Sequence, residues 1–392
     1  MLATVALTDE LWSGIAVVAA PAVERELDLD HGAYALAVFT VPLLVGAAGE
    51  ALLAILSDRY PRRYFVAGGV AALAASLLVA GLTRSAWGLS TGLALAGVAS
   101  GVACSAAQAE LVTRTSPERA LTRWTVFASA GDVLGPAVVS AALWRGHSYR
   151  FVFVFVGACL ALQAVVMFRA LGRSPPTGSR DDEAETEAEA GDDDAAPEPL
   201  GEIFRSGARS SRIWIWLGAA ALCTLLDEIA AALAALHLRA VHGLPEAEAS
   251  ACLAFFSIGS LLGALVADRW LARWSWRAVL VGACVAAVAA VGLFLAAPGP
   301  GLASAALALL GAAVAPHYPL VKAQAYAAMP GRPGLVNAAA QVFVVVDLLA
   351  PPALGVLAEA HGTAISVLAL AAQPLGILVL LGLFSRRRAG TT

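Results

Sequence analysis

The sequence predicts an all-α integral membrane protein with twelve transmembrane helices, built as two six-helix repeats. The composition, the length of the apolar blocks and a repeated series of polar residues predict this fold. Of the 392 residues, 59% are hydrophobic and 14% are charged, and the mean hydropathy is +0.77. Soluble chains are about half apolar and a quarter charged. We therefore expect neither a soluble enzyme nor a nucleic-acid-binding protein.

The apolar residues form twelve blocks of about 20 residues, the length at which a helix crosses the hydrocarbon core of a bilayer. The predicted spans are 2–23, 33–56, 64–83, 86–112, 124–144, 151–171, 213–236, 249–267, 278–297, 302–326, 335–358 and 363–384. A long polar break divides them six and six. This predicts an N-terminal bundle over 1–171, a linker over 172–212, and a C-terminal bundle over 213–392 that ends in a short basic tail.

The linker is rich in proline and acidic residues. Eleven acidic residues lie between Asp181 and Glu202, with no lysine or arginine among them. Such a segment buries too little apolar surface to fold, so we expect a solvated tether between the bundles. A regulatory or partner-binding role stays open.

The basic residues predict the orientation of the chain in the membrane. The loops after even-numbered spans, the linker region and the tail together hold 19 arginines, whereas the opposite loops hold five. Because positively charged loops stay on the cytoplasmic side, we expect both termini and the linker to be cytoplasmic. The predicted location is the plasma membrane, or the inner membrane of a cell that has two.

The two halves repeat a series of polar markers in the same order. The matched markers are Asp9-Glu10 with Asp227-Glu228, Asp58-Arg59 with Asp268-Arg269, Gln108 with Gln324, and Asp132 and Pro136 with Asp347 and Pro351. Parallel repeats of six helices are one way in which secondary transporters build a site near the membrane midplane. The markers therefore indicate a transporter with an internal repeat.

The loop after the second span carries a recognisable motif. Residues 54–63 read Ala-Ile-Leu-Ser-Asp-Arg-Tyr-Pro-Arg-Arg, which resembles the G-x-L-A-D-R-x-G-R-R signature of the major facilitator superfamily. A more degenerate copy, with Asp268 and Arg269, follows the eighth span. The resemblance implies the major facilitator fold and a cytoplasmic latch. The latch residues are Asp58, Arg59, Arg62, Asp268 and Arg269. Ordinary flanking charge would explain the arginines of this set but not the aspartates.

A second resemblance is narrower. Gly131-Asp132-Val133-Leu134-Gly135-Pro136 is similar to the G-x-x-x-G-P core of a motif in the antiporter branch of that superfamily. It favours export by proton exchange. Gly131, Gly135 and Pro136 also suit close packing and bending of a helix, so a purely structural role stays open.

Charged residues inside predicted spans are the candidate machinery, because ionised groups are costly at membrane depth. Eight acids lie in spans, and all of them fall on spans 1, 2, 4, 5, 7 or 11 rather than on 3, 6, 9 or 12. The resemblance places the central cavity among spans 1, 4, 7 and 10. The predicted coupling and substrate residues are Asp9, Glu10, Asp132, Asp227, Glu228, Asp347, Lys322, His317, Gln108, Gln324 and Trp12. For each Asp-Glu pair we expect one member to face the cavity and the other to pack, because neighbours on a helix point about 100° apart.

Several of these residues have alternative interpretations. Lys322 either neutralises an acid, binds an anionic substrate or extends to the interface. His317 is either a relay or substrate ligand or a satisfied core histidine. The other histidines lack metal-ligand spacing and the five cysteines fall in apolar segments, so no metal site is expected.

The sequence therefore predicts a proton-coupled secondary transporter of a small organic solute, cationic or amphipathic, with export by antiport favoured. Symport of a nutrient, lipid translocation and divalent-metal export on the same fold are alternatives, and a non-transporting sensor is a remote one. Coupling to sodium ions instead of protons is an open alternative. We expect no enzymatic activity, no cofactor, no nucleic-acid partner and a monomer in the bilayer.

Overall fold

A computed structural model describes residues 1–171 and 210–389, and the part of the chain that it describes contains helices but no strand. The N-terminal half comprises α1 (Thr4–Leu27), α2 (Gly32–Leu56), α3 (Arg62–Leu82), α4 (Ala86–Arg114), α5 (Pro117–Trp144) and α6 (Tyr149–Leu171). The C-terminal half comprises α7 (Ser211–His242), α8 (Glu246–Trp270), α9 (Trp276–Leu295), α10 (Pro300–Ala327), α11 (Pro333–His361) and α12 (Thr363–Leu383).

These helices confirm the predicted fold class. Eleven of them are long and apolar enough to cross a membrane, and the bent α1 makes a twelfth. The predicted tether lies almost wholly outside the described residues, as do the last three residues of the tail.

Local sequence sets several helix ends. The side chains of Asp30, Ser85 and Ser275 accept hydrogen bonds from backbone N–H groups three residues later, which satisfies donors that a helix leaves unpaired. Proline occupies the first helical position of α5, α10 and α11, where its missing N–H costs nothing.

Each half has its own apolar core, and a third cluster of buried residues joins the halves. In this third cluster Leu121 of α5 packs with residues of α7 and α10, including Trp216 and Leu320. Helix α5 packs against α8 and α10, and α11 packs against α2 and α4. The α2–α11 and α5–α8 contacts are equivalent under the repeat.

The loops after α2, α4, α8 and α10 lie at one end of the bundle, because successive helices run in opposite directions. These loops carry Arg59, Arg273 and Arg332, and Arg114 is the last residue of α4, so we call this the basic end.

Three helices lose regular geometry where polar residues occur. A π-helical turn, Leu225–Ile229, carries Asp227 and Glu228 in α7. A 3₁₀ turn, Gln341–Phe343, lies one turn before Asp347 in α11. Helix α10 is interrupted at Pro316, next to His317. Such irregular turns occur frequently at functional sites in membrane helices.

Candidate functional site

A cavity of about 370 Å³ lies between the two halves. Both halves contribute carboxyl groups to its wall, and one amine lines it as well. The carboxyl groups are those of Asp9, Glu10, Glu50, Asp132, Asp227, Glu228 and Asp347, and the amine is that of Lys322. We call the six carboxyl groups other than that of Glu50 the carboxyl ring.

The structure brings most of the predicted site residues to this cavity. All six acids of the prediction line it, together with Lys322 and Gln108. His317, Gln324 and Trp12 do not line it, so their predicted placement needs correction. Each of these three side chains contacts another residue instead.

In the N-terminal half, the acids are held by neighbouring helices. Asp9 Oδ1 accepts a hydrogen bond from Trp12 Nε1 at 3.0 Å and another from the Ser100 hydroxyl of α4. The carboxyl groups of Glu10 and Asp132 lie next to each other, on α1 and α5. Trp12 therefore positions the Asp9 carboxylate by a hydrogen bond and does not itself line the cavity.

In the C-terminal half, the π-helical turn presents Asp227 and Glu228 on successive positions. Asp347 of α11 lies near Thr224, and its Oδ1 is buried with no hydrogen-bond partner among the described residues. Buried oxygen atoms normally have a partner, so this one is available to a proton or a ligand.

The expectation that only one member of each Asp-Glu pair faces the cavity is wrong. Asp9 and Glu10 both line it, and so do Asp227 and Glu228. In the first pair, Asp9 is bonded to Ser100 of α4 and Glu10 adjoins Asp132 of α5. The two side chains point in different directions, and the cavity is wide enough for both to line it. In the second pair, the extra residue of the π-helical turn changes the angular spacing that a regular helix would impose.

Lys322 is 7% exposed and does not extend to the interface. Its ammonium donates hydrogen bonds to Gln108 Oε1 at 2.8 Å and Tyr318 Oη at 2.7 Å. No carboxylate of the described residues lies within 4.0 Å of it. The interface interpretation is therefore wrong, and Lys322 is a buried cation of the cavity. We call Gln108, Tyr318 and Lys322 the floor.

Sequence reasoning missed Glu50 and Tyr318 as site residues. Glu50 Oε1 accepts a hydrogen bond from the Ser105 hydroxyl, and Gly101 leaves room for its side chain because any Cβ there would overlap the carboxylate. Its position on a predicted span was a usable signal, but the span has no matched acid in the second repeat.

His317 is fully buried away from the cavity. Its Nδ1 pairs with Gln373 Nε2 at 3.1 Å, and Gln373 also approaches Cys223 at 3.6 Å. This burial agrees with the core-histidine alternative, but His317 is not fully satisfied, because Nε2 is buried with no hydrogen-bond partner among the described residues.

The basic end is held by Asp58. Its carboxylate accepts hydrogen bonds from the backbone N–H groups of Gly334 and Leu335, at 2.9 and 3.0 Å, at the first turn of α11. Arg62 lies 3.3 Å from the same carboxylate and 3.8 Å from Glu110. A carboxylate at a helix N-terminus is stabilised both by the unpaired N–H groups and by the helix dipole.

The repeat-related Asp268 also joins the halves, with a weaker contact. It lies 3.3 Å from Arg123 of α5, and the two side chains are 30% and 58% exposed. Arg269 donates to the carbonyl oxygen of Leu265 in its own helix. The two copies of the loop motif thus contact equivalent helices, but only the first is shielded from solvent.

The two matched glutamines also link the halves. Gln108 Oε1 accepts a hydrogen bond from Lys322 and lies 3.3 Å from Tyr326 Oη. Gln324 Nε2 donates to Glu118 of α5 at 3.1 Å. Gln324 therefore belongs to the contacts at the basic end rather than to the cavity.

A buried hydrogen-bond network lies beneath the floor. Tyr326 Oη donates to Asn337 Oδ1 at 2.5 Å, and Asn337 Nδ2 donates to the Ser105 carbonyl oxygen at 3.0 Å. The network connects α10 and α11 to α4 between the cavity and the basic end.

The motif in α5 packs this helix against α1. A Cβ on Gly131 would lie 2.8 Å from Glu10 Cβ, and one on Gly135 would lie 3.3 Å from the Leu11 carbonyl oxygen. Pro136 Cδ lies 3.7 Å from the Cβ position of Gly14. These small residues let α1 approach closely enough for Glu10 and Asp132 to adjoin.

Among the described residues, no group of three or more His, Cys, Asp or Glu side chains has the geometry to hold a metal ion.

Comparison with known proteins agrees with the fold. The family model described as Major Facilitator Superfamily matches residues 2–346. A search of curated proteins finds no match. Among solved structures, a transporter of that superfamily, FucP in the outward conformation, is 16% identical over 96% of this chain and 97% of its own, with a TM-score of 0.67.

Two further solved structures have the same fold. A variant of the E. coli fucose:proton symporter FucP is 16% identical over 96% of each chain, with a TM-score of 0.70. The proton:xylose symporter XylE, bound to 6-bromo-6-deoxy-D-glucose, is 12% identical over 98% of this chain and 94% of its own, with a TM-score of 0.70.

Proposed function

Because this chain belongs to the Major Facilitator Superfamily, we propose that it is a secondary active transporter that moves a small organic cation or amphipathic solute by proton-coupled alternating access. The observation that carries this proposal is the cavity between the halves, whose wall holds seven carboxyl groups and one ammonium. Such an excess of acidic groups favours a cationic ligand and supplies sites for protons.

The proposed coupling is competition between substrate and protons for the same carboxylates. Asp9, Glu10 and Asp132 belong to one half, and Asp227, Glu228 and Asp347 to the other. When the halves rock about the cavity, the solvation of these groups changes, and burial disfavours the charged form of a carboxylate. A carboxylate that releases substrate to one side is then free to take up a proton.

The contacts at the basic end supply the gate. Asp58 joins α2 to α11, and Arg123 and Asp268 join α5 to α8. The buried network beneath the floor lies between these contacts and the cavity. These contacts must break before the cavity opens at that end. The loops of the basic end carry the excess arginine, so we propose that this end faces the cytoplasm. The proposed location of the protein is the plasma membrane, or the inner membrane of a cell that has two.

Export by proton antiport is the first form of the proposal, because the motif with Gly131, Gly135 and Pro136 is similar to that of antiporters. Proton symport is the second form, since the solved structures of the same fold include proton symporters. Sodium ions would suit the same carboxylate oxygens.

The test uses proteoliposomes that contain a pH-sensitive dye, to which organic cations, anions, zwitterions, sugars and divalent metals are added in turn. We expect proton flux that depends on an organic cation or zwitterion and that vanishes in Asp132→Asn and Asp227→Asn. The direction of the flux distinguishes antiport from symport. Substrate flux without proton movement, in either pH or sodium gradients, would contradict the proposed coupling.

The matched control is Glu359→Gln. Glu359 is an exposed acid near the end of α11 that does not line the cavity. Its neutralisation removes a charge of the same kind without changing the proposed machinery, so coupling should stay at the wild-type ratio.

A further inference from the structure

The charges of the cavity are separated along the bundle axis. At about 1.5 Å per residue, Asp132, Asp227 and Asp347 lie roughly 21 to 24 Å along their helices from the basic end. Lys322 lies only about 8 Å from the basic end of α10 by the same measure.

Helix α1 begins part-way along the bundle: Asp9 is bonded to Ser100, about 21 Å from the basic end of α4, and Glu10 adjoins Asp132. The floor and the carboxyl ring therefore lie at different levels of one cavity, with the cation at the level nearer the basic end.

Lys322 has an incomplete set of partners for a buried ammonium. An ammonium has three donors, and the structure gives it two neutral acceptors, Gln108 Oε1 and Tyr318 Oη. No carboxylate within the described chain lies within 4.0 Å. Removing an unpaired charge from water is strongly unfavourable in proteins. An anionic group of a ligand would supply both the missing acceptor and the missing charge.

The surroundings fix where the ammonium lies. It is positioned 5.2 Å from the ring centroid of Tyr318 and 6.0 Å from that of Tyr326. Gln108 Oε1 lies in turn 3.3 Å from Tyr326 Oη. Lys322 is therefore an ordered donor on the cavity wall.

Glu50 is the carboxyl group nearest in level to Lys322, about 9 Å from the end of α2 at the same rise per residue. Its carboxylate accepts hydrogen bonds from the side chains of Ser105 and Gln341, and it forms no ion pair with Lys322 within 4.0 Å. Glu50 thus leaves the third donor of Lys322 unoccupied.

We infer that the substrate of this cavity is an organic zwitterion, whose anionic group binds Lys322 at the floor and whose cationic group binds the carboxyl ring. This inference rests on the proposed function, and it narrows the substrate class from cations in general to molecules that carry both charges. An ordinary cation would satisfy the ring and leave Lys322 unpaired. A dianion would pair with Lys322, but its second anionic group would be repelled by the six carboxyl groups of the ring.

The test measures binding to the purified full-length protein by isothermal titration calorimetry, with three matched series of linear ligands. These are ω-amino acids, α,ω-diamines and α,ω-dicarboxylates with four to twelve carbons. We expect the ω-amino acids of one preferred length to bind about tenfold or more tightly than the diamine and the dicarboxylate of equal length, a factor that corresponds to 1.4 kcal/mol. Stronger binding of the diamines, equal binding of all three series, or no binding of any of them would overturn the inference.

The variant Lys322→Gln tests the assigned contact, and Lys322→Arg is its charge-conserving control. In Lys322→Gln, the affinity for the preferred ω-amino acid should fall about tenfold while that for the diamine stays or rises. Lys322→Arg should keep the preference for the amino acid. An equal loss for amino acid and diamine would contradict a contact with the anionic group. The wild-type comparison of the three series stands even where a variant does not fold.

The two proposals fail separately. Proton flux driven by a simple amine, with no role for Lys322, would retain the proposed function and remove only the zwitterion inference. A zwitterion that binds through Lys322 but drives no proton flux would remove proton coupling and retain the inference.

Discussion

Asp58 and Gly334 are 276 residues apart in the chain, yet the Gly334 N–H donates to Asp58 Oδ1 at 2.9 Å. The second carboxylate oxygen accepts from Leu335, so one side chain of α2 caps the first turn of α11. A Cβ on Gly334 would meet the Asp58 carboxyl at 2.8 Å, which explains why a glycine stands there. The contact closes the basic end by joining the two halves directly.

Replacing Asp58 by asparagine should speed or slow turnover more than it changes substrate affinity. The substitution removes hydrogen bonds to a charged acceptor, which contribute about 1.5–3 kcal/mol each, and these bonds exist only while the basic end is closed. We expect kcat to change by about tenfold and KM by less than about twofold. Transport kinetics in proteoliposomes measure both.

Asp268→Asn is the matched control for this prediction. It removes the repeat-related aspartate, whose ion pair with Arg123 is largely exposed and worth about 0–1 kcal/mol. Its effect on kcat should be much smaller. A loss of affinity alone in Asp58→Asn, or equal effects of the two variants, would contradict the assignment of Asp58 as the principal latch.

Gly131→Ala should destabilise the protein, because the new methyl group would lie 2.8 Å from Glu10 Cβ and 2.5 Å from the Leu7 carbonyl oxygen. Overpacking of this kind costs about 1–3 kcal/mol. Gly282→Ala in α9 is the control, since nothing lies within 4 Å of its Cβ position. There the better helix propensity of alanine should stabilise by about 0.5–1 kcal/mol. Thermal unfolding in detergent compares them, and a lower midpoint for Gly282→Ala than for Gly131→Ala would contradict the packing argument.

The candidate membrane spans and the acidic character of the cavity could be predicted from the sequence, because both depend on local composition and on single residues. An apolar block of about 20 residues specifies a span wherever it occurs, and an acid such as Asp132 within a span signals a polar environment. The matched order of Asp9, Asp132, Asp227 and Asp347 further indicated that these acids share one site.

The rest depends on relationships that no local pattern contains. His317 lies next to the break in α10 at Pro316, and its side chain is buried away from the cavity. Asp227 and Glu228 both line the cavity on a π-helical turn, which has no sequence signature. One partner of Lys322, Gln108, comes from α4 of the other half, 214 residues away. Such contacts are set by how the halves pack, which the span pattern leaves undetermined.

Gln108→Leu should be more damaging than Gln324→Leu, although the two glutamines are matched by the repeat. Removing Gln108 Oε1 leaves the buried Lys322 Nζ with Tyr318 Oη as its one acceptor among the described residues, whereas Tyr326 Oη keeps Asn337 Oδ1. An unsatisfied buried donor costs about 1–3 kcal/mol. Among the described residues the side chain of Gln324 has one hydrogen-bond partner, the partly exposed Glu118, which water can solvate instead. Unfolding midpoints should therefore fall further for Gln108→Leu, and the reverse order would contradict the network as described.

His317→Leu should retain proton coupling while it lowers stability. The side chain is fully buried, outside the cavity, and paired with Gln373 at 3.1 Å. Leucine fills a similar volume, carries no titratable group and leaves the Gln373 amide without this partner, at a cost of about 1–3 kcal/mol. We expect the wild-type ratio of protons to substrate in the pH-dye assay, with Asp227→Asn as the variant that loses it. Loss of coupling in a folded His317→Leu protein would make His317 a proton relay and would require a path from Gln373 to the carboxyl ring.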